Sequence, residues 1–178
     1  MQTQRLAWAI SGSGHYIEEC VEFMLTLDHV DLYLSQAGEE VLKMYGISLA
    51  SLKDKMPVYR DKAASAPPVG LFYKGYYHTL VMAPTTSNTI AKCSLGIADS
   101  LVTNLYAQAG KCRVESIVYP CDTAPELETT APGNKKFMVY PRPIELEATD
   151  KLRDFPFTQV VDDVDQLIVS VRQRLANL

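Results

Sequence analysis

The chain has 178 residues, the size of one ordinary domain, so a single core is expected. Apolar residues make up 47% and charged residues 21%, which excludes a disordered, collagen-like or low-complexity chain. The net charge of −4, with no Lys/Arg stripe, argues against nucleic acid as the main partner, and no apolar run approaches a membrane span of roughly 20 residues.

Met1 to Arg5 shows no basic region followed by a small-residue cleavage site, so no signal peptide is expected and the chain is placed in the cytoplasm. Leu6 to Ile10 is a short apolar run that ends at Ser11-Gly12-Ser13-Gly14. Ile17, Cys20, Val21, Met24 and Leu27 then recur at helical spacing. This is a strand, a Gly-rich turn and a helix. Val30 to Leu34 is a second strand, ending at Ser35, and a second helix carries Val41, Leu42 and Tyr45 and stops at Gly46.

Ala63 to Pro68 reads as a surface loop, because Pro67-Pro68 opposes helix. Leu80 to Ala83 is a third strand, stopped by Pro84. Ile90, Cys93, Ile97 and Leu101 form a helical stripe with a bend at Gly96. Val114 to Tyr119 is a fourth strand and Phe137 to Tyr140 a fifth. A last helix, within residues 160–178, carries Val164, Leu167, Ile168, Val171 and Leu175 behind an Asp162 cap. Residues 122–136 read as a long loop, and a loop of that length in a compact domain is usually functional.

Continuous apolar strands alternating with amphipathic helices predict an α/β fold: one Rossmann-like domain over residues 1–178, with a parallel sheet covered by helices on both faces. Ligands of such sheets bind beyond the carboxyl ends of the strands. The residues there are Ser11, Gly12, Ser13, Gly14 and His15, then Ser35, then Thr85, Thr86, Ser87, Asn88 and Thr89, then Cys121, Asp122 and Thr123. They are rich in hydroxyls and poor in charge, which suits a phosphate held by backbone N–H groups and hydroxyls. Gly12-Ser13-Gly14 fits the first two glycines of G-x-G-x-x-G, but Ile17 occupies the third place and Ser35 stands where a dinucleotide site needs an acid. The pattern favours a mononucleotide. Four of the five residues Thr85 to Thr89 carry hydroxyls, more than a helix cap requires.

Cys20, Cys93, Cys112 and Cys121 show no C-x-x-C spacing, so no metal site is expected and buried thiols are favoured over disulfides. His15 either donates to a bound ligand such as a phosphate or is an exposed residue at a helix start. Asp122 either accepts from the N–H pair of a planar ligand or initiates a turn. Tyr119 and Tyr140 are candidates for stacking, and Cys121 reads as a small neutral filler.

Ala83-Pro84-Thr85-Thr86-Ser87-Asn88-Thr89-Ile90-Ala91-Lys92, followed by Gly96-Ile97-Ala98-Asp99-Ser100-Leu101, resembles the homo-oligomeric flavin-containing cysteine decarboxylases. Their motif is P-A-[ST]-A-N-T-x-x-K followed by G-x-x-D-x-L. The resemblance implies that the Ser-Gly-Ser-Gly turn and Ser35 hold the phosphate of FMN. It also implies a trimer-based homo-oligomer, with Asp99 and Leu101 near the junction where subunits meet around the flavin. Two features of the decarboxylases are missing: a His near Gly70, and P-x-M-N-x-x-M-W at Pro120. The redox branch of the superfamily, with the archaeoflavoproteins and dihydromethanopterin reductases, lacks both. Its members begin much like Ala7 to His15 and carry Pro-x-Asp, as in Pro120-Cys121-Asp122. This likeness implies an FMN-dependent reductase that converts a dihydropterin to its tetrahydro form, with electrons from a separate donor. The alternatives are a flavin decarboxylase or prenyltransferase of the same fold, and an electron-transfer flavoprotein without a small substrate.

Overall fold

The computed structural model describes residues 4–63, 65–133 and 135–178. Met1 to Thr3, Ala64 and Asn134, which belong to the N-terminal segment, the Pro-rich loop and the long loop of the sequence reading, lie outside the described residues. The chain runs β1 (Arg5–Ile10), α1 (Ile17–Met24), β2 (Val30–Leu34), α2 (Gln36–Met44), α3 (Leu49–Lys53) and β3 (Val58–Arg60). A 3-10 turn (Pro67–Leu71), β4 (Tyr77–Thr85), α4 (Ser87–Ser94), α5 (Leu101–Lys111) and β5 (Glu115–Pro120) follow. The last part holds β6 (Leu127–Ala131), β7 (Lys135–Val139), α6 (Pro143–Arg153), β8 (Thr158–Val160) and α7 (Val164–Ala176).

Six strands form one parallel sheet in the order β3-β2-β1-β4-β5-β8. The α/β Rossmann-like expectation is met. Each strand feeds two cores because its side chains alternate across the sheet. Leu6, Trp8 and Ile10 of β1 pack on the face covered by α1 and α7, and Ala7 and Ala9 on the face covered by α4 and α5. Burial on both faces is why the strands read as unbroken apolar runs. The chain builds outward from β1 to β3, then returns to add β4 beside β1. The carboxyl ends of β1 and β4 are therefore the topological switch point, and Ser11 and Thr86 follow them directly.

Several sequence expectations need correction. Phe137 to Tyr140 is not a strand of the parallel sheet: residues 135–139 are β7, paired antiparallel with β6. The long loop is thus mostly a β-hairpin turning near Gly133, whose φ is 81°. β6 is polar and half-exposed, so no apolar run betrays it, whereas the apolar Phe137 and Met138 of β7 are exposed and pack into neither core. The sheet is instead completed by β3 and β8, three residues each and too short to show a period. Pro84 does not end β4; Thr85 still pairs with Pro120, and the Pro84 carbonyl accepts from the Ser11 amide at 3.3 Å. Pro67 and Pro68 begin a 3-10 turn, where missing N–H groups cost nothing. Gly96, at φ 74°, separates α4 from α5 instead of bending one helix. The cap of α7 is Asp163, which accepts from the Gln166 amide at 2.7 Å, not Asp162, which pairs with Arg153.

Candidate functional site

Two cavities open at the switch point and meet at Gly12 and Thr86. The first, of about 570 Å3, takes in Ser11, Ser35, Asn88, Thr89, Lys92 and Asp99 from the sequence-derived set and its flanks. The second, of about 420 Å3, takes in Ser13, Gly14, His15, Cys121 and Asp122.

The first cavity is built from helix starts. Ser35 caps α2, its hydroxyl accepting from the Gly38 amide at 2.9 Å. Thr86 caps α4, its hydroxyl accepting from the Thr89 amide at 3.2 Å. The first amides of α2 (Gln36, Ala37) and of α4 (Ser87, Asn88) have no intrahelical acceptor, and both helices present their positive ends here. Ser11 links the turns, its hydroxyl accepting from the Thr86 amide at 2.8 Å. The β1–α1 turn must be glycine: a Cβ on Gly12 would lie 2.6 Å from the Ala37 Cβ, and one on Gly14 2.3 Å from the Tyr45 hydroxyl. Asn88 is exposed, and its amide has no partner among the described residues.

Lys92 pairs with Asp99 at 2.7 Å across the turn between α4 and α5. Asp61 accepts from the Leu101 amide at 3.1 Å, and its neighbour Lys62 is exposed at the cavity rim. Neither Asp61 nor Lys62 stood out in the sequence, because they follow the three-residue β3.

Three of the candidate cofactor-binding residues line neither cavity: Thr85, Leu101 and Ser87, whose hydroxyl instead donates to the Asp122 carboxylate. The Thr85 hydroxyl is buried and donates to the Met82 carbonyl at 2.9 Å. The Leu101 side chain is buried in the core beside α5, and only its amide reaches Asp61.

The second cavity is walled by the hairpin. Thr129 Oγ1 lies 3.0 Å from His15 Nδ1, and the Tyr45 hydroxyl donates to the Thr130 carbonyl at 2.7 Å. His15 is therefore buried, 9% exposed, and not an exposed residue at a helix start. Burial pushes its imidazole below the ordinary value, while Asp122 acts in the opposite direction. At neutral pH one ring nitrogen is a donor and the other an acceptor. The Asp122 carboxylate accepts from the Ser87 hydroxyl, and its backbone carbonyl accepts from the Thr149 hydroxyl at 3.3 Å. Asp122 is thus held between α4 and α6 with its carboxylate on the cavity wall. Burial, with the Asp122 charge adding to it, pushes the Cys121 thiol up to about 11, so it stays protonated as a filler. Tyr140 is 69% exposed and lines neither cavity. His78 lies at the far end of the sheet, where its carbonyl accepts from Arg174 at 3.1 Å.

The fit of a phosphate monoester can be judged from this donor set. Hydroxyls, unpaired helix-start amides and a rim lysine converge on one cavity, the combination a mononucleotide phosphate needs. The parallel sheet, its β1–β4 switch point and these hydroxyl-lined turns define a Rossmann-like domain of the flavoprotein kind.

The chain belongs to the Flavoprotein family, whose model matches residues 1–176. It is 36% identical over 176 residues to an uncharacterised protein of Methanocaldococcus jannaschii, covering 93% of this chain and 94% of that one. It is 37% identical over 147 residues to the dihydromethanopterin reductase (acceptor) of Methanosarcina mazei, covering 75% of this chain and 62% of that protein. The crystal structure of Burkholderia xenovorans DmrB in complex with FMN, described as a cubic protein cage for redox transfer, is 44% identical. It matches with a TM-score of 0.92 over 99% of this chain and 97% of that one. The expected membership of the flavoprotein superfamily, nearest to its dihydromethanopterin reductase branch, is borne out. No helix among the described residues is long and apolar enough to cross a membrane.

Proposed function

We propose that this chain is an FMN-dependent oxidoreductase that reduces a dihydropterin to its tetrahydro form, taking its electrons from a separate donor. The observation that carries the reading is the junction of the two cavities at Gly12 and Thr86: a phosphate-type cradle opens directly onto a pocket walled by His15 and Asp122. The relatives named dihydromethanopterin reductase and the FMN complex of DmrB support it.

Ser11, Gly12, Ser35, Thr86 and the first amides of α2 and α4 would hold the FMN phosphate, with Asn88 and Thr89 beside it. Bound FMN supplies two-electron hydride chemistry. Reduction of a C=N bond adds a hydride to carbon and a proton to nitrogen. His15 and Asp122 form the polar wall past which that proton travels, and they orient the ring. The hairpin from Leu127 to Val139 shields the pocket from water on one side. Leu95 and Ile97, 67% and 44% exposed, flank the turn next to Asp99. This apolar patch supports a homo-oligomer, trimer-based, with the flavin near the subunit junction.

The test is anaerobic. The FMN-loaded protein is photoreduced and mixed with a dihydropterin, and pterin-dependent recovery of the oxidised-flavin absorbance is expected. Recovery no faster than in buffer would overturn the reductase reading in favour of an electron-transfer flavoprotein. Carbon dioxide release from a cysteinyl peptide would favour a decarboxylase.

A further inference from the structure

The hairpin strands pair Leu127 with Val139, Thr129 with Phe137 and Ala131 with Lys135. Side chains directly opposed in an antiparallel pair share one face of the sheet. Leu127, Thr129, Ala131, Phe137 and Val139 all line the second cavity, so this face is the one turned to the site. The other face carries the Glu128–Lys136 ion pair. Thr129 is fixed by its hydroxyl, which lies 3.0 Å from His15 Nδ1. Phe137 stands directly opposite Thr129, an arrangement that puts the two Cβ atoms about 4.5–5.5 Å apart. The Phe137 ring is therefore set beside the His15–Thr129 bond, on the cavity wall.

Nothing in the packing of the fold calls for a phenylalanine there. Phe137 is 48% exposed, joins neither core and stacks on no aromatic ring among the described residues. Among those residues two side-chain hydrogen bonds tie the hairpin to the body, His15 with Thr129 and Tyr45 with Thr130. A second apolar wall comes from α2, where Val41 and Met44 line the same cavity and Met44 is 63% exposed. The remaining lining includes His15, Asp122 and Thr86, which are polar. Apolar walls with a polar side to the same cavity match a flat heteroaromatic ring, whose faces are apolar and whose edge carries N–H donors and acceptors.

We infer that Phe137 is the stacking residue for the substrate: its ring packs on the face of the dihydropterin bicycle, while His15 and Asp122 order the polar edge. The assignment rests on the reductase reading for the identity of the ring. Two observations favour the substrate over the flavin as the partner of Phe137. Phe137 lines the second cavity and not the phosphate cradle. Its hairpin joins neither core, and a wall held by two hydrogen bonds suits a ligand that leaves at each turnover better than a resident cofactor. An aromatic face also selects for planar ligands, since stacking needs a flat partner.

The test compares Phe137→Leu, which keeps an apolar side chain and loses the aromatic face, with Phe137→Tyr, which keeps the ring. The position is exposed and outside both cores, so both variants should fold. Binding of 6-methylpterin to the oxidised, FMN-loaded protein is measured by calorimetry, and binding of FMN to the apoprotein by fluorescence titration. Phe137→Leu should weaken 6-methylpterin binding about three- to tenfold, and Phe137→Tyr should stay within about twofold of the wild type. FMN affinity should be unchanged in both. Unaltered pterin affinity in Phe137→Leu, an equal loss in the two variants, or no pterin binding by the wild type would overturn the assignment. Weaker FMN binding with unaltered pterin binding would place the ring on the flavin and overturn it too. Ring-dependent pterin binding without dihydropterin-driven reoxidation would support Phe137 as the stacking residue and overturn the reductase reading. Reoxidation by the wild type with unaltered pterin affinity in Phe137→Leu would do the reverse.

Discussion

The Thr86 amide donates to Ser11 Oγ across 2.8 Å, tying together two turns that lie 75 residues apart in the chain. The bond spans the switch point, so it fixes the width of the gap between the β1–α1 turn and the start of α4. Ser11 is 2% exposed, and water cannot readily replace its hydroxyl. Ser11→Ala leaves the Thr86 amide without that acceptor, at a cost of about 1–3 kcal/mol. A lower thermal midpoint of the apoprotein and weaker FMN binding in a fluorescence titration are expected together. An unchanged midpoint would mean that the bond contributes nothing to holding the gap.

Asn88 makes the opposite prediction. Its side chain is exposed and bonds to nothing else among the described residues, whereas Thr86 already caps the helix. Asn88→Ala should leave apoprotein melting unchanged and raise the FMN dissociation constant about tenfold, the loss of one ligand hydrogen bond. If stability falls while FMN affinity holds, Asn88 serves the helix and not the cofactor.

The sequence carried the switch-point residues because they obey local rules. Ser35 and Thr86 are helix caps directly after buried strands, and Gly12 and Gly14 stand where α2 and Tyr45 press on the turn. The second cavity was half legible. His15 and Asp122 could be named, but Thr129 and Tyr45, which hold the hairpin in place, could not. Leu127-Glu128-Thr129-Thr130-Ala131 has too few apolar residues to read as a strand, since its pairing is with another half-exposed strand. Lys62 was hidden for a related reason: β3 gains its order from pairing with β2, and three residues show no period of their own. Tyr119 could be named as a stacking candidate, but its burial to 1% at the end of β5 is visible only in the tertiary structure.

A pH dependence follows from His78. Burial, with the Arg174 charge adding to it, pushes this imidazole down to about 4. In the unfolded chain it protonates near the ordinary value of about 6.5. Below that pH the unfolded state binds a proton that the folded state refuses. The stabilisation is therefore complete above about 6.5 and is lost as pH falls toward the folded value. His15, also lowered by burial, acts in the same direction. Urea midpoints should decline between pH 7 and pH 4, and His78→Gln should decline less steeply. Parallel curves for the two proteins would remove His78 as a cause.

Asp122 offers the sharpest test of the proposed reaction. Its carboxylate is fixed by the Ser87 hydroxyl, its backbone carbonyl by Thr149, and its charge is felt by His15. Asp122→Asn keeps an oxygen that can accept from Ser87 and removes only the charge. The fold and the FMN cradle should therefore survive, and the protein should stay yellow with the same FMN content. What changes is the wall against which the reducible ring is oriented. Hydride transfer needs its reacting atoms about 3–3.5 Å apart, and loss of one orienting charge should slow reoxidation by a dihydropterin on the order of 10–100-fold. Because Asp122 is expected to orient the ring and not to carry its binding, 6-methylpterin affinity should fall much less than the rate. Stopped-flow reoxidation and equilibrium binding on the same preparation separate the two effects. A wild-type rate in the variant would reduce Asp122 to a residue that closes the turn after β5, and the reaction would then need another orienting group. A rate and an affinity that fall in equal proportion would instead place the aminopyrimidine contact on Asp122 itself.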